Sequence, residues 1–508
     1  MAGLSFLDRA HTVAPPGYSR WLVPPSALAI HLCIGQAYAL SVFNLPMNRL
    51  IGITGPAPDD WPLTTTVWIF NIAFVFLGLS AAVFGKWLER VGPRKAMFVS
   101  ACCFSAGFFV SAVGIAVHQI WLVYLGYGAL GGIGLGLGYI SPVSTLIKWF
   151  PDRPGMATGM AIMGFGGGAM IGSPLAENLM RFYASPVSVG VTQTFVTMGL
   201  IYFVIMMFGV FNVRVPPDGW TPKHFVPPAR PKKLVTTAHV TADEAIKTPQ
   251  FWLLWTVLCM NVTAGIGVLA QASPLVQESF PGTVTPAAAA GFVGLLSVFN
   301  LGGRFFWSSL SDAIGRKSTY MIYLGLGMVL YALVPSFARA GNLVLFVATF
   351  CIILSMYGGG FSTIPAYLRD LFGTLQVGAI HGRLLTAWSA AAVAGPNIVT
   401  YIREYQLARG VAKADAYSMA IYIMVGVLAV GFICNLLTRP VAERHHYKGD
   451  LAKAAPAPPT PAVSPARQAS LDHPTTSPAR LAIAWIFVGI PLTWGVYQTL
   501  LKSFALFA

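Results

Sequence analysis

Arg304 is the residue of this chain with the clearest chemistry. It sits in the apolar run 287–309, eight residues before Asp312, which at 1.5 Å per helical residue is ~12 Å in from the run's end. A guanidinium at that depth costs at least ~2.5–3.5 kcal/mol to insert. None of the 17 acidic residues shares its run; each falls in a loop or near the end of an apolar run, Glu177 being nearest to an exception. Such an arginine can hold an anion on its planar fork, snorkel to the interface, or donate to backbone carbonyls. Asn300, one turn earlier, either orients the guanidinium, contacts a ligand, or packs two helices. His31 is the other mid-run polar candidate, as a proton carrier near neutral pH or as a satisfied core residue. Tyr38, Tyr139, Tyr357 and Trp388 carry rings with a polar tip, suited to wall a small planar anion or simply to pack. No nucleophile–base set, phosphate loop or metal cluster is present, so the reading is not an enzyme and implies no cofactor. The six cysteines all lie in apolar runs without zinc-ligand spacing and read as small core or lipid-facing residues.

The elements that position these residues are membrane spans. The 508-residue chain is 56% hydrophobic and 10% charged, against about 25% charged in soluble domains. Its apolar runs reach the ~20 residues that cross hydrocarbon, where only a helix pairs its own backbone. Spans are expected at 22–45, 64–85, 96–117, 121–147, 155–178, 194–213, 250–276, 287–309, 318–337, 343–365, 378–400, 415–437 and 481–501. Asp8, the Pro15-Pro16 pair and the length of the first run argue against a cleaved signal peptide.

With the N-terminus in the cytoplasm, 24 Lys/Arg fall on the cytoplasmic side and 7 on the other, Arg304 being the remainder. The net charge of +15 is therefore loop asymmetry, not a nucleic-acid surface. The expected organisation is a cytoplasmic N-terminus (1–21), a six-helix bundle (22–213), a basic, Pro-rich linker (214–249), a second six-helix bundle (250–437), a disordered linker (438–480) and a further helix with the C-terminus (481–508). The linkers owe their assignment to Pro216, Pro217, Pro222, Pro227, Pro228 and Pro231 in one, and to PAPPTPAVSPARQAS at 456–470 in the other.

The two halves repeat. Adding 223 carries Glu89 to Asp312, Gly92 to Gly315, Pro142 to Pro365, Gly155 to Gly378 and Gly159 to Gly382. One register over separate landmarks indicates duplication. The loop GKWLERVGPRK (85–95) has its second copy in SLSDAIGRK (309–317). Gly85 permits close helix approach, and Glu89 at a helix end can pair with Arg90, Arg94 or a facing helix terminus. Such a cluster, with Gly92, Asp312, Gly315 and Arg316, can latch a gate in one state and release it in another. GALGGIGLGLGYISP (128–142) and GFGGGAMIGSP (164–174) carry small residues for tight packing or sliding.

The first loop resembles the signature loop of the major facilitator superfamily, with Glu89 where Asp is commoner. IGQAYALSVF (34–43), KWFPDRPGMATGMAIMGFGGGA (148–169), FNLGGRFFWSSLSDAIGRK (299–317) and HGRLLTAWSAAAVAGP (381–396) resemble the oxalate/formate antiporter family within it. The resemblance spans about residues 20–440 and implies an all-α polytopic major facilitator fold that exchanges small carboxylates, in a bacterial-type inner membrane and as a monomer. It implies Arg304 as the carboxylate ligand and Gln36, Tyr38, Tyr139, Tyr357 and Trp388, with Asn300, around it. The family's oxalate carrier also has a span-11 lysine; this chain has no lysine between Arg383 and Arg403, which makes a monocarboxylate at least as fitting as a dianion.

LAIAWIFVGIPLTWGVYQTLL (481–501) resembles a small single-span accessory subunit, here fused, although Pro491 also suits an interfacial hairpin. Two other readings remain at this stage. In proton-linked monocarboxylate symporters an acid precedes the arginine by one turn, where Asn300 stands here; a non-transporting membrane sensor has no need of duplicated gating loops.

Overall fold

The computed structural model describes residues 6–217, 219–222, 236, 238–284, 286–449 and 476–503. The stretch 456–470, prolines 227, 228 and 231, and the Glu177 side chain lie outside the described residues.

Among the described residues, apolar segments flanked by Pro and Gly fold into thirteen long helices. In the first half these are α1 (Val23–Ile34), α2 (Leu63–Val91), α3 (Pro93–Ala116), α4 (Ile120–Trp149), α5 (Pro154–Tyr183) and α6 (Val191–Asn212). In the second they are α7 (Pro249–Ser279), α8 (Pro286–Ile314), α9 (Arg316–Arg339), α10 (Leu343–Phe372), α11 (Val377–Leu384 and Thr386–Ala408) and α12 (Ser418–Leu437). The last is α13 (Pro478–Ser503), a continuous helix through Pro491 rather than a hairpin. Among the described residues, eleven helices are long and apolar enough to cross a membrane by length and composition alone; α8, which carries Arg304, and the interrupted α11 are not among them. Among the described residues there is no strand, only isolated bridges at Val13–Val215 and Ser185–Ser188.

Three spans are less regular than their sequence suggests. α1 continues as a 3-10 segment, Gly35–Phe43, that carries Gln36 and Tyr38. α4 contains a π segment, Tyr124–Gly131, within its glycine run. α11 breaks at Leu385, one turn past His381.

Packing repeats with a step of six helices. α1 lies on α5 as α7 lies on α11, α2 on α4 as α8 on α10, and α3 on α6 as α9 on α12. The two bundles meet along α5–α8 and α2–α11. The turns joining α2 to α3 and α8 to α9 place Gly92 and Gly315 at φ +85° and +89°, a region closed to most side chains. Arg94 donates to the Val213 carbonyl ending α6, at 3.1 Å, and Lys317 to the Leu436 carbonyl near the end of α12, at 2.7 Å. Both residues of the second pair are the first pair's positions plus 223.

α13 crosses the seam. Leu492 packs near Gly167 of α5, Thr499 near Gly294 of α8, and Phe487 stacks on Phe208 of α6 at 4.2 Å.

Candidate functional site

Arg304 is fully buried where α8 faces the first half, at 0% exposure. Its Nε donates to Asn300 Oδ1 at 3.0 Å, one turn back on the same helix, so Asn300 orients the guanidinium. Nη1 donates to the Ile162 carbonyl of α5 at 3.3 Å. Nη2 has no hydrogen-bond partner. No carboxylate among the described residues pairs with it. The side chain neither reaches lipid nor meets a protein acid, and a buried donor left unpaired carries its full desolvation cost.

Aromatic rings enclose the guanidinium. Its carbon lies 5.3 Å from the Phe361 centroid and 5.7 Å from that of Phe165, within cation–π range. Tyr38 and Tyr139 turn their hydroxyls toward it. The Tyr38 and Tyr357 hydroxyls meet at 3.2 Å across the two halves. Trp388 joins the cage, with Phe361 at 4.3 Å, Phe165 at 5.3 Å and Tyr139 at 5.4 Å between centroids. The Tyr139 hydroxyl and Trp388 Nε1 also lack partners. Arg304 Nη2, the Tyr139 hydroxyl and Trp388 Nε1 are thus unpaired donors on residues of one aromatic cage, which suits a small, flat anion with several acceptor lone pairs.

The structure brings Arg304, Asn300, Tyr38, Tyr139, Tyr357 and Trp388 together. It ties Gln36 elsewhere: its Oε1 accepts from Tyr127 at 2.7 Å inside the first half, and its side chain lies against Gly172. Gln36 and Tyr38 are two residues apart, and a helical winding, α or 3-10, turns such positions to different sides. Sequence reasoning missed Phe165, Phe361 and His381. Phe165 plus 223 is Trp388, so the repeat register itself points to one of them.

At the end of the bundle that carries the basic loops, both halves are fastened by matching bonds. Asp312 accepts from the Gly155 and Met156 amides at the start of α5, both at 2.9 Å. Glu89 accepts from the Gly378 amide at the start of α11 at 3.2 Å. Acids at helix N-termini are favoured by the orphan amides and the helix dipole. Glu89 pairs with Lys148 at 3.2 Å rather than with Arg90, which is exposed, or Arg94, which holds the carbonyls of Phe6, His11 and Val213. Arg316 bridges Asp312 at 2.5 Å and Asp370 at 3.2 Å. Asp370 was not foreseen.

The seams above these bonds are close. A Cβ on Gly159 would collide with Ser308 Oγ and meet the Arg304 carbonyl at 2.8 Å; one on Gly382 would collide with the Ala81 carbonyl. A Cβ on Gly85 would sit 2.7 Å from Ala379 Cα. A short linker helix, Ala242–Ala245, adds a strap: Asp243 pairs with Lys86 of α2 and, at 2.7 Å, with Arg383 of α11.

Comparison with known proteins places this architecture. The Major Facilitator Superfamily profile matches residues 27–396. The oxalate:formate antiporter of Oxalobacter formigenes is 28% identical over 385 residues, covering 75% of this chain and 84% of that protein. Apicoplast pyruvate carrier 1 of Toxoplasma gondii is 23% identical, covering 82% and 88%. Among solved structures, the Escherichia coli fucose:proton symporter aligns with a TM-score of 0.57 at 14% identity, covering 83% of this chain and 100% of that one. A bacterial homologue of ferroportin in an outward-facing state aligns with a TM-score of 0.58 at 15% identity, covering 82% and 98%. Twofold-repeated bundles, paired charged loops and these matches have one source: the chain belongs to the Major Facilitator Superfamily.

Proposed function

We propose that this protein is a secondary transporter of small organic carboxylates, working by alternating access and capable of anion exchange. The observation that carries the reading is the free Nη2 of a fully buried Arg304 inside an aromatic cage, with no acid beside it among the described residues. A carboxylate taking Nη2, with the Tyr139 hydroxyl and Trp388 Nε1 within the same enclosure, would neutralise the charge and fill the vacant donors. The similarity to an oxalate:formate antiporter and a pyruvate carrier supports this substrate class.

In this reading 22–213 and 250–437 are the two rocking bodies. Glu89, Asp312 and their partner amides hold the basic, cytoplasmic end closed, with Gly85, Gly92, Gly315, Arg90, Arg94 and Arg316 shaping that gate. The N-terminus lies in the cytoplasm of a bacterial-type inner membrane, the working unit is a monomer, and α13 is an added brace. With one fixed cation, the site suits a monocarboxylate at least as well as oxalate.

The test is counterflow in proteoliposomes preloaded with formate, oxalate, lactate, pyruvate or acetate, with the same labelled acids outside. At least one acid should exchange above protein-free vesicles. Exchange of none of the five would remove the reading and leave a non-transporting membrane protein as its replacement.

A further inference from the structure

Two imidazoles flank the anion cage, one from each half. His31 of α1 and His381 of α11 are buried, at 0% and 2% exposure. The His31 ring stacks on Tyr139 at 5.3 Å and 14°, and His381 lies on Tyr139 at 5.9 Å. His31 Nε2 sits 3.2 Å from the Tyr139 backbone carbonyl. A carbonyl only accepts, so Nε2 carries the hydrogen and Nδ1 presents its lone pair. That Nδ1 has no partner, and neither has His381 Nε2. Bare imidazole nitrogens held in a buried polar site are costly unless they have a use.

We infer that His31 and His381 form a proton-carrying pair that moves one proton with each carboxylate during net uptake. This rests on the carboxylate reading above. The argument is electrostatic. Both rings lie against Tyr139, whose hydroxyl is turned toward Arg304. While Arg304 is uncompensated, its charge opposes a proton on His31, and a proton on one ring opposes a proton on the other. A carboxylate on Arg304 cancels that repulsion, so anion and proton favour each other's binding, and by linkage they do so reciprocally. Rocking separates α1 from α11, so the pair's surroundings change with the side to which the site opens.

The other ionisable groups around the pair are accounted for. Tyr139 comes from α4; Tyr38 and Cys33 share α1, and Tyr202 of α6 faces Cys33. Glu89 of α2 meets α11 at the Gly378 amide and is held by Lys148. Asp370 of α10 is tied to Arg316, and Arg383 to Asp243 of the linker. α5 presents Gly164 and Phe165, α13 meets α1 at Leu28 and Leu32, and α7 reaches α11 through Trp255 at Thr386. No carboxylate therefore competes with the imidazoles for the proton among the described residues.

The experiment uses the full chain in proteoliposomes at clamped zero potential, with labelled pyruvate and labelled oxalate as probes and an internal pH dye. For the wild type, an inward-acid gradient of one pH unit should raise the accumulation ratio of the transported probe by about tenfold, the factor set by one coupled proton. Entry should acidify the lumen. His31→Asn and His381→Gln, tested singly, should each bring that ratio to about onefold and abolish acidification. Counterflow measured in parallel separates the two readings. Wild-type counterflow with no gradient response overturns the proton pair and leaves the carboxylate site standing. A gradient response that persists in both variants also overturns it. Absence of wild-type counterflow removes the carboxylate reading and the inference with it.

Discussion

Asp312 and Gly155 sit on opposite halves, and the Asp312 carboxylate accepts the Gly155 amide at 2.9 Å. Their counterparts 223 residues away, Glu89 and Gly378, form the same bond with the halves exchanged, at 3.2 Å. A repeat related by a twofold axis generates this pairing, because each half offers one acid and one helix N-terminus to the other. Hydrogen bonds to a charged group are worth about 1.5–3 kcal/mol. Asp312→Asn and Glu89→Gln should therefore each shift the balance away from basic-end closure by roughly 10–100-fold. Labelling of a cysteine introduced inside that gate reads the shift; unchanged labelling in both variants would show that these bonds do not hold the gate.

The glycine seams should tolerate nothing larger. Gly382→Ala drives a methyl into the Ala81 carbonyl, and Gly159→Ala into Ser308 and the Arg304 carbonyl. Overpacking of this kind costs about 1–3 kcal/mol. Both variants should lower the melting temperature in detergent, and Gly159→Ala should also displace Arg304 and reduce transport. Gly426→Ala, where a Cβ meets nothing within 4 Å, is the control.

The linker strap gives a pH dependence with a definite sign. Hydrogen bonds from Lys86 and Arg383 hold the Asp243 carboxyl down at about 2, below the ~3.9 of an unfolded aspartate. A depressed value contributes stability that is present above about pH 4 and is lost as pH falls toward 2. Asp243 is 57% exposed, so the contribution is screened to about 1 kcal/mol or less. Asp243→Asn should lower stability slightly at pH 7 and be indistinguishable from wild type near pH 2, as read by thermal melts across that range.

α13 should stabilise the seam it crosses. Removing 478–508 exposes Gly167 of α5 and Gly294 of α8, which Leu492 and Thr499 cover. In lipid this loss is one of close packing rather than of hydrophobic burial. Truncation should lower the melting temperature, and α13 supplied as a separate peptide should restore it; an unchanged melting temperature would show that the helix is a passive passenger.

Much of this architecture was legible in the residues. Span lengths follow from bilayer thickness, and the charged loops at 85–95 and 309–317 repeat at a fixed offset, so α2–α3 and α8–α9 were legible in the sequence. Arg304 stood out because an unpaired cation in an apolar run is rare and costly. The cage was only partly legible. Phe165 and Phe361 are two of 33 phenylalanines, and nothing local separates one that faces a guanidinium from one that faces lipid. His381 lies near the start of a span, and only the tertiary approach of α11 to α4 sets it against Tyr139. Gln36 turns to Tyr127 inside the first half, because residues two apart on a helix, such as Gln36 and Tyr38, point to different sides.

The central claim is that Arg304 receives the substrate's carboxylate. Equilibrium binding of whichever labelled acid exchanges best, measured on purified wild type, Arg304→Ala and Arg304→Lys, tests it most directly. Truncating one partner of a buried charged contact costs about 2–5 kcal/mol, so Arg304→Ala should weaken binding by at least about thirtyfold. Arg304→Lys should recover only part of it, because an ammonium lacks the planar fork. Wild-type affinity in a folded, membrane-inserted Arg304→Ala protein would contradict the account.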